Sequence, residues 1–219
     1  MARSAGVSSI PLSVAKPGGV AKPGAAAEPM RFSELKFLLR CDLYRYEGRQ
    51  GLSALLRTLR SNPGFKYTFW MRVCRYLRSS PIRYPLFVVA QSLLDRCKYK
   101  FGISIPFTTQ IGEGLYIGHF GSIVVNELAV IGKNCNLSHD VTIGQANRGK
   151  RKGYPVIGNN VYIGPGAKLV GSVTLGNNVA VGANCVVTRD VPEDGVVAGV
   201  PGRVISRQGS ADYVNRTLT

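Results

Sequence analysis

The chain has 219 residues, with 28 basic and 12 acidic side chains and a formal charge of +16. That length supports one substantial domain with an appendage and is large enough to bury a core. Five cysteines, an odd number without a CxxC pair, argue against a disulfide framework and fit a reducing compartment.

Residues 1–30 are rich in Ala, Gly, Pro and Ser, with Ala-Lys-Pro-Gly at 15–18 and again at 21–24. Such a stretch buries too little apolar surface to offset its ordering entropy, and a disordered tail is expected. Pro11, Pro17 and Pro23 interrupt the apolar run that a secretory signal would need. Residues 31–102 then read as a basic α-helical domain. Ser33 is the expected cap of a first helix carrying Leu35, Phe37, Leu38, Leu39 and Leu43 towards Gly48. A second helix is expected over about Leu52–Leu59, a third over Tyr67–Leu77 after Asn62-Pro63-Gly64, and a fourth over about Pro85–Tyr99. The apolar run Leu86–Ala90 falls far short of the ~20 residues of a membrane span. Of the basic and acidic residues, 15 and 4 lie between 31 and 103, so the charge belongs to this segment and implies an anionic partner or surface. A membrane face and a solvated basic cap are both open readings; nucleic acid is disfavoured because no recognition motif accompanies the charge.

From 103 to 206 the pattern changes to a six-residue beat. Aliphatic residues fall at Ile105, Ile111, Ile117 and Ile123, at Ile131, Leu137 and Ile143, and at Ile157, Ile163, Leu169, Leu175, Val181 and Val187. A period of six fits neither a helix nor a simple strand, but it fits a short strand and a tight turn repeated. Three such units close one triangular coil of a parallel β-helix, with coils about 4.8 Å apart. Cys135 and Cys185 occupy small inward positions as compact apolar filler. The beat fails twice. Ile123 to Ile131 spans eight residues, so two are expected to bulge, and Ile143 to Ile157 spans fourteen. The polar, basic segment 145–154 should leave the coil as an extruded loop able to wall a site beside the histidines. Residues 207–219 form a C-terminal tail, and the helical segment and Val191–Ile205 are expected to close the two ends of the β-helix.

The two histidines, His119 and His139, each follow a beat residue by two, and their separation of 20 places them on one corner of successive coils. Imidazole is suited to taking a proton from a hydroxyl near neutral pH. An exterior turn position explains each alone; the two together, with both interruptions nearby, favour a site. Two histidines without a third fit a metal centre poorly, and no metal is expected. No Gly-x-Ser-x-Gly elbow or phosphate-loop lysine appears in a suitable context.

The stretch Gly114–Ile131, with Val141–Gly144, Val161–Lys168 and Ala198–Ile205, resembles the serine acetyltransferase branch of the hexapeptide-repeat acyltransferases. Asn62-Pro63-Gly64-Phe65 and the Arg-rich helix after it resemble the helical part of that branch, so the likeness covers about residues 31–206. It implies a left-handed parallel β-helix, acetyl-CoA as co-substrate, and a homotrimer with sites between neighbouring β-helices, a dimer of trimers through the helical domain being open. It also implies a cytoplasmic location, with peripheral contact on the inner face of the membrane as an option. By position His119 matches the catalytic base and Glu127 an acidic residue beside it. Asn126, His139 and Tyr154 are expected on the acceptor side. Gly166, Ala167 and Lys168 match the pantetheine channel, and Arg203 a basic position near the CoA phosphates, to which Arg148, Lys150, Arg151 and Lys152 could add attraction.

The chain also departs from that branch. Ser104 stands where an Asp pairs with the catalytic histidine, Gly118 replaces the Asp just before it, and Tyr154, before Pro155, replaces a second histidine. The last residues are Leu218-Thr219, where serine acetyltransferases that dock into cysteine synthase end in Ile. These departures point towards a neutral acceptor, a sugar or polysaccharide hydroxyl. Serine O-acetylation is the alternative, and a non-catalytic trimeric scaffold binding a membrane or partner is the reading outside enzymes.

Overall fold

A computed structural model of the chain describes residues 30–218. The expected disordered tail therefore lies outside the described residues, apart from Met30, which packs on Leu35 and Leu38. Four helices come first: α1 (Phe32–Glu47), α2 (Leu52–Ser61), α3 (Pro63–Arg78) and α4 (Tyr84–Phe101). Ser33 does not cap α1, whose N-cap is Arg31, two residues earlier, with no side-chain cap bond. The third helix starts four residues before its expected position. Asn62 accepts the Phe65 N–H at 3.0 Å and Pro63 occupies the first turn, so a triplet that reads as a break is a helix start.

The first coils of the β-helix hold β1 (Ile103–Ser104), β2 (Gln110–Ile111), β3 (Tyr116–Ile117), β4 (Ile123–Val125), β5 (Val130–Ile131) and β6 (Asn136–Leu137). Then come β7 (Thr142–Gly144), β8 (Val156–Ile157), β9 (Tyr162–Ile163), β10 (Lys168–Val170), β11 (Thr174–Leu175) and β12 (Ala180–Val181). The last are β13 (Val186–Val187), β14 (Val196–Ala198) and β15 (Arg203–Ser206). They stack as three parallel faces: β1-β4-β7-β10-β13 in the first, β2-β5-β8-β11 in the second and β3-β6-β9-β12-β14 in the third. Only β15 is antiparallel, folding back on β14 to end the third face. The beat residues point inward and are buried, Ile117 stacking on Leu137, Ile163 and Val181. Such short strands are held by this stacked core, since two residues alone make too few hydrogen bonds to persist.

The two extra residues do not lie after Ile123: Ile117 pairs with Leu137 and Val125 with Ile143, eight residues against six, so they lengthen the turn that carries His119. Val125, buried on Ile143, is the beat residue of this coil, and Val125 to Ile131 keeps the spacing of six. At one corner Asn134, Asn160, Asn178 and Asp194 all adopt left-handed backbone, which Asn and Asp tolerate, and their side chains hydrogen-bond in a ladder at 3.1–3.2 Å.

A parallel β-helix exposes unpaired backbone groups on its first coil, and the helical segment satisfies them with side chains. The Tyr67 hydroxyl donates to the Ile105 carbonyl at 2.8 Å and accepts its N–H at 2.9 Å. Burial pushes that phenol up to about 12, keeping its proton in place. Tyr46 treats Ile117 in the same way. Arg72 donates to the carbonyls of Ile111 and Gly112, and Asp42 accepts the Leu115 N–H. The approach is close enough to require Gly64, where a Cβ would lie 2.2 Å from the Ile117 carbonyl oxygen.

Residues 207–218 run back along the β-helix from its last coil to α1. The Tyr213 ring stacks on Tyr162 at 4.2 Å, its carbonyl accepts from Asn136 at 2.8 Å, and Arg216 donates to the Tyr46 carbonyl at 2.6 Å. Among the described residues no helix is long and apolar enough to cross a membrane.

Candidate active site

The corner between the third and first faces carries the histidines. Because Ile117 pairs with Leu137, residues 118–122 and 138–141 form successive turns at that corner. The rings of His119 and His139 stand edge to face, 6.0 Å between centroids, and both side chains are exposed. Neither imidazole has a hydrogen-bond partner among the described residues, which leaves their nitrogens available to a substrate. On the next coil the Gly166 N–H donates to the His139 carbonyl at 3.1 Å. Gly166 has a φ of +75°, and a Cβ there would meet the Asn184 side-chain oxygen at 2.0 Å, so the fold itself demands this glycine.

Of the residues expected to line a cofactor channel, Ala167 has its backbone groups committed within the fold, and Lys168 sits in an exposed ion pair. Ala167 is fully buried, its N–H bonded to the Gly164 carbonyl and its carbonyl to the Thr142 N–H. Lys168 places its ammonium 2.5 Å from the Asp140 carbonyl oxygen and 3.0 Å from its carboxylate. Asp140 was not among the residues singled out from sequence; the only clue was its place directly after His139. Arg203 begins β15, beside the segment where Gly199 and Gly202 bond to Val186 across the same corner, and it is exposed. From the His119 turn to this point is four coil steps, about 19 Å along one edge.

Glu127, Asn126 and Tyr154 lie elsewhere. They flank the opposite edge of the first face, at the corner leading to the second. Glu127 accepts from Thr108 at 2.8 Å, and Asn126 donates to Gln145 at 3.2 Å. The loop 145–154 is a hairpin closed by Ala146 and Gly153, anchored along that edge by Arg151, which donates to the Ser172 carbonyl and the Asp190 carboxylate. Within one chain the loop thus does not wall the histidine corner, correcting the expectation from its nearness in sequence. A strand of the first face lies between the two groups. Thr108 and Gln145 carried no sequence signal; they are found only through register.

No reactive thiol is available at this corner. All five cysteines are buried, and burial pushes the thiols of Cys41, Cys74 and Cys135 up to about 12, which makes them inert. Among the described residues no cluster of His, Cys, Asp or Glu could hold a metal ion.

Coiled parallel faces with corner turns every sixth residue define a β-helical transferase fold, and comparison with known proteins narrows it. Residues 154–189 match the bacterial transferase hexapeptide (six repeats) pattern. The serine acetyltransferase of Synechococcus elongatus is 37% identical over 161 residues, covering 74% of this chain and 63% of that protein. Less than two thirds of that relative's length is therefore spanned. The crystal structure of serine acetyltransferase from Brucella abortus strain S19 superposes with a TM-score of 0.67 at 30% identity, over 82% of this chain and 72% of that one. The structure of the same enzyme in complex with coenzyme A gives 0.68 at 29% identity, over 81% and 70%. The chain belongs to the hexapeptide-repeat acyltransferases, and its β-helix is left-handed. The expectation of a sugar or polysaccharide acceptor is overturned: the relatives sharing 37% and 30% identity are named for serine. The lack of carboxylates at Ser104 and Gly118 does not by itself exclude a charged acceptor.

Proposed function

We propose that the chain is an acetyl-CoA-dependent O-acetyltransferase whose acceptor is the hydroxyl of serine, with His119 as general base. The observation that carries this reading is the open, unpartnered His119–His139 corner on a β-helix similar along most of its length to serine acetyltransferases. His119 takes the proton as the serine oxygen attacks the thioester carbonyl. The C–O bond forms, the C–S bond breaks from the tetrahedral adduct, and the proton passes from imidazolium to the departing thiolate. Base catalysis of this kind supplies about 10²–10⁴-fold, the rest coming from orientation and charge stabilisation. Arg203, exposed on the histidine edge, suits the phosphates of the donor. Two separated groups at opposite edges of one face support a homotrimer, in which the Glu127 edge of one copy meets the histidine edge of the next. Incubation with acetyl-CoA and varied L-serine, followed by thiol release, tests the reading. Saturable serine-dependent release supports it, and release no faster than the acceptor-free rate counts against it.

The outer side of α4 supports a peripheral location. Leu86 and Val89, with Ile82 in the turn just before the helix, form an exposed apolar stripe that continues through half-buried Leu93 to exposed Arg96 and Lys100. Apolar residues followed by cations on one stripe, in the most basic part of the chain, fit an anionic lipid surface.

A further inference from the structure

Serine differs from a neutral alcohol in bearing both an ammonium and a carboxylate, and taking it from water requires an opposite charge for each. Ser104 and Gly118 supply none. Resting on the serine reading above, we infer that Asp140 and Lys168 form the site for the zwitterion: Asp140 receives the ammonium and Lys168 the carboxylate.

Three observations carry the assignment. The first is placement. Asp140 directly follows His139, and its N–H donates at 2.8 Å to the carbonyl of Gly121, two residues beyond His119, so its turn is seated on the turn that carries the base. The second is availability. Lys168 engages Oδ1 at 3.0 Å, while Oδ2 has no partner among the described residues. The side chains are 34% (Lys168) and 56% (Asp140) exposed. An ion pair this exposed contributes little stability, so inserting a zwitterion between its ends costs little. The third is that the fold does not need these charges. Asp140 has a φ of +57°, and the equivalent turn positions on the following coils are Gly166 and Asn184, the latter at +56°. Outward neighbours of Lys168 on the first face are Val124, Thr142 and Val186, all uncharged. A left-handed turn is satisfied by Asn and an outward strand position by Val or Thr. Both charges are surplus to structure, and they meet one coil from His119.

Steady-state kinetics of the full chain with acetyl-CoA test this, with Asp140→Asn, Asp140→Glu and Lys168→Met as variants and 3-hydroxypropionate and ethanolamine as acceptors lacking one charge each. Asn184 already shows that Asn suits this turn, and a thermal melt checks that D140N remains folded. Expected is a rise in the serine KM of at least about tenfold in D140N and in K168M, with the acetyl-CoA KM within about twofold and partial recovery in D140E. D140N should also lose its preference for serine over 3-hydroxypropionate, and K168M its preference over ethanolamine. If the wild-type chain acetylates serine and both variants keep its KM, the assignment fails and the serine reading stands. A rise in the acetyl-CoA KM alone in K168M would give Lys168 to the donor and overturn its half of the site. If the wild-type chain binds acetyl-CoA but neither binds nor acetylates serine, both the reading and the assignment fall.

Discussion

Arg72 of α3 and Asp42 of α1 form an ion pair at 3.0 Å with both side chains essentially inaccessible, and together they close the end of the β-helix. Burial pushes the Asp42 carboxyl up, and the Arg72 guanidinium and Leu115 N–H pull against it. Removing one partner leaves the other charge buried and unpaired, which costs roughly 3–5 kcal/mol. Asp42→Leu or Arg72→Met should therefore lower the urea midpoint sharply. The double variant should recover only part of the loss, because the Ile111 and Gly112 carbonyls still lack their donor. Equal loss in single and double variants would remove the pair from the explanation.

The loop anchor should respond to acid in a defined direction. Burial works to raise the Asp190 carboxyl, but the Thr174 N–H and the Arg151 guanidinium outweigh it and hold it below the usual carboxylate range. A depressed folded value means the anchor is fully present above the unfolded Asp value of about 3.9 and is lost as pH falls through the folded one. Hydrogen exchange over 145–154 should show protection at pH 5 that disappears at lower pH. At neutral pH, Asp190→Asn should speed tryptic cleavage of the loop by up to about fivefold, the range of an exposed pair. Unchanged cleavage would show that the hairpin holds itself.

Arg203 stands exposed beside the histidine edge without an ion-pair partner among the described residues. If it meets the donor's phosphates, Arg203→Ala should raise the acetyl-CoA KM roughly tenfold and leave the serine KM unchanged. The difference should shrink as salt rises, since exposed charges are screened. An effect confined to serine would place Arg203 at the other substrate.

The α4 stripe gives a separate prediction. The chain should sediment with vesicles containing anionic lipid and not with neutral ones, and Leu86→Ser with Val89→Ser should abolish this. Self-association in the absence of vesicles, removed by the same substitutions, would assign the stripe to a second copy.

Much of the architecture was legible because inward positions tolerate only aliphatic and small residues, so the six-residue beat survives in the sequence. Pairing of His119 with His139 followed from the same arithmetic. The interruptions were harder to read. Eight residues between Ile123 and Ile131 say that two are added, but the beat residue of that coil is Val125, which lies on Ile143, so the addition falls earlier, in the turn that carries His119. The start of α3 was hidden because Asn-Pro-Gly serves a break and a capped helix start equally well. Site residues drawn from resemblance scattered more widely. Ala167 turned inward and Glu127 lay across a face, because a match along the chain does not say which corner a residue occupies. Asp140 and Lys168, 28 apart in sequence, meet only through the stacking of coils.

In the proposed reaction His119 removes the proton from serine's hydroxyl. The most direct test is steady-state transfer from acetyl-CoA to L-serine by the wild-type chain and by His119→Ala, with acetyl-CoA binding measured separately for each. Expected are serine-dependent turnover in the wild type, a fall in kcat of about 10²–10⁴-fold in the variant, and a donor Kd unchanged within about twofold. Wild-type turnover that survives the loss of His119 would contradict this role.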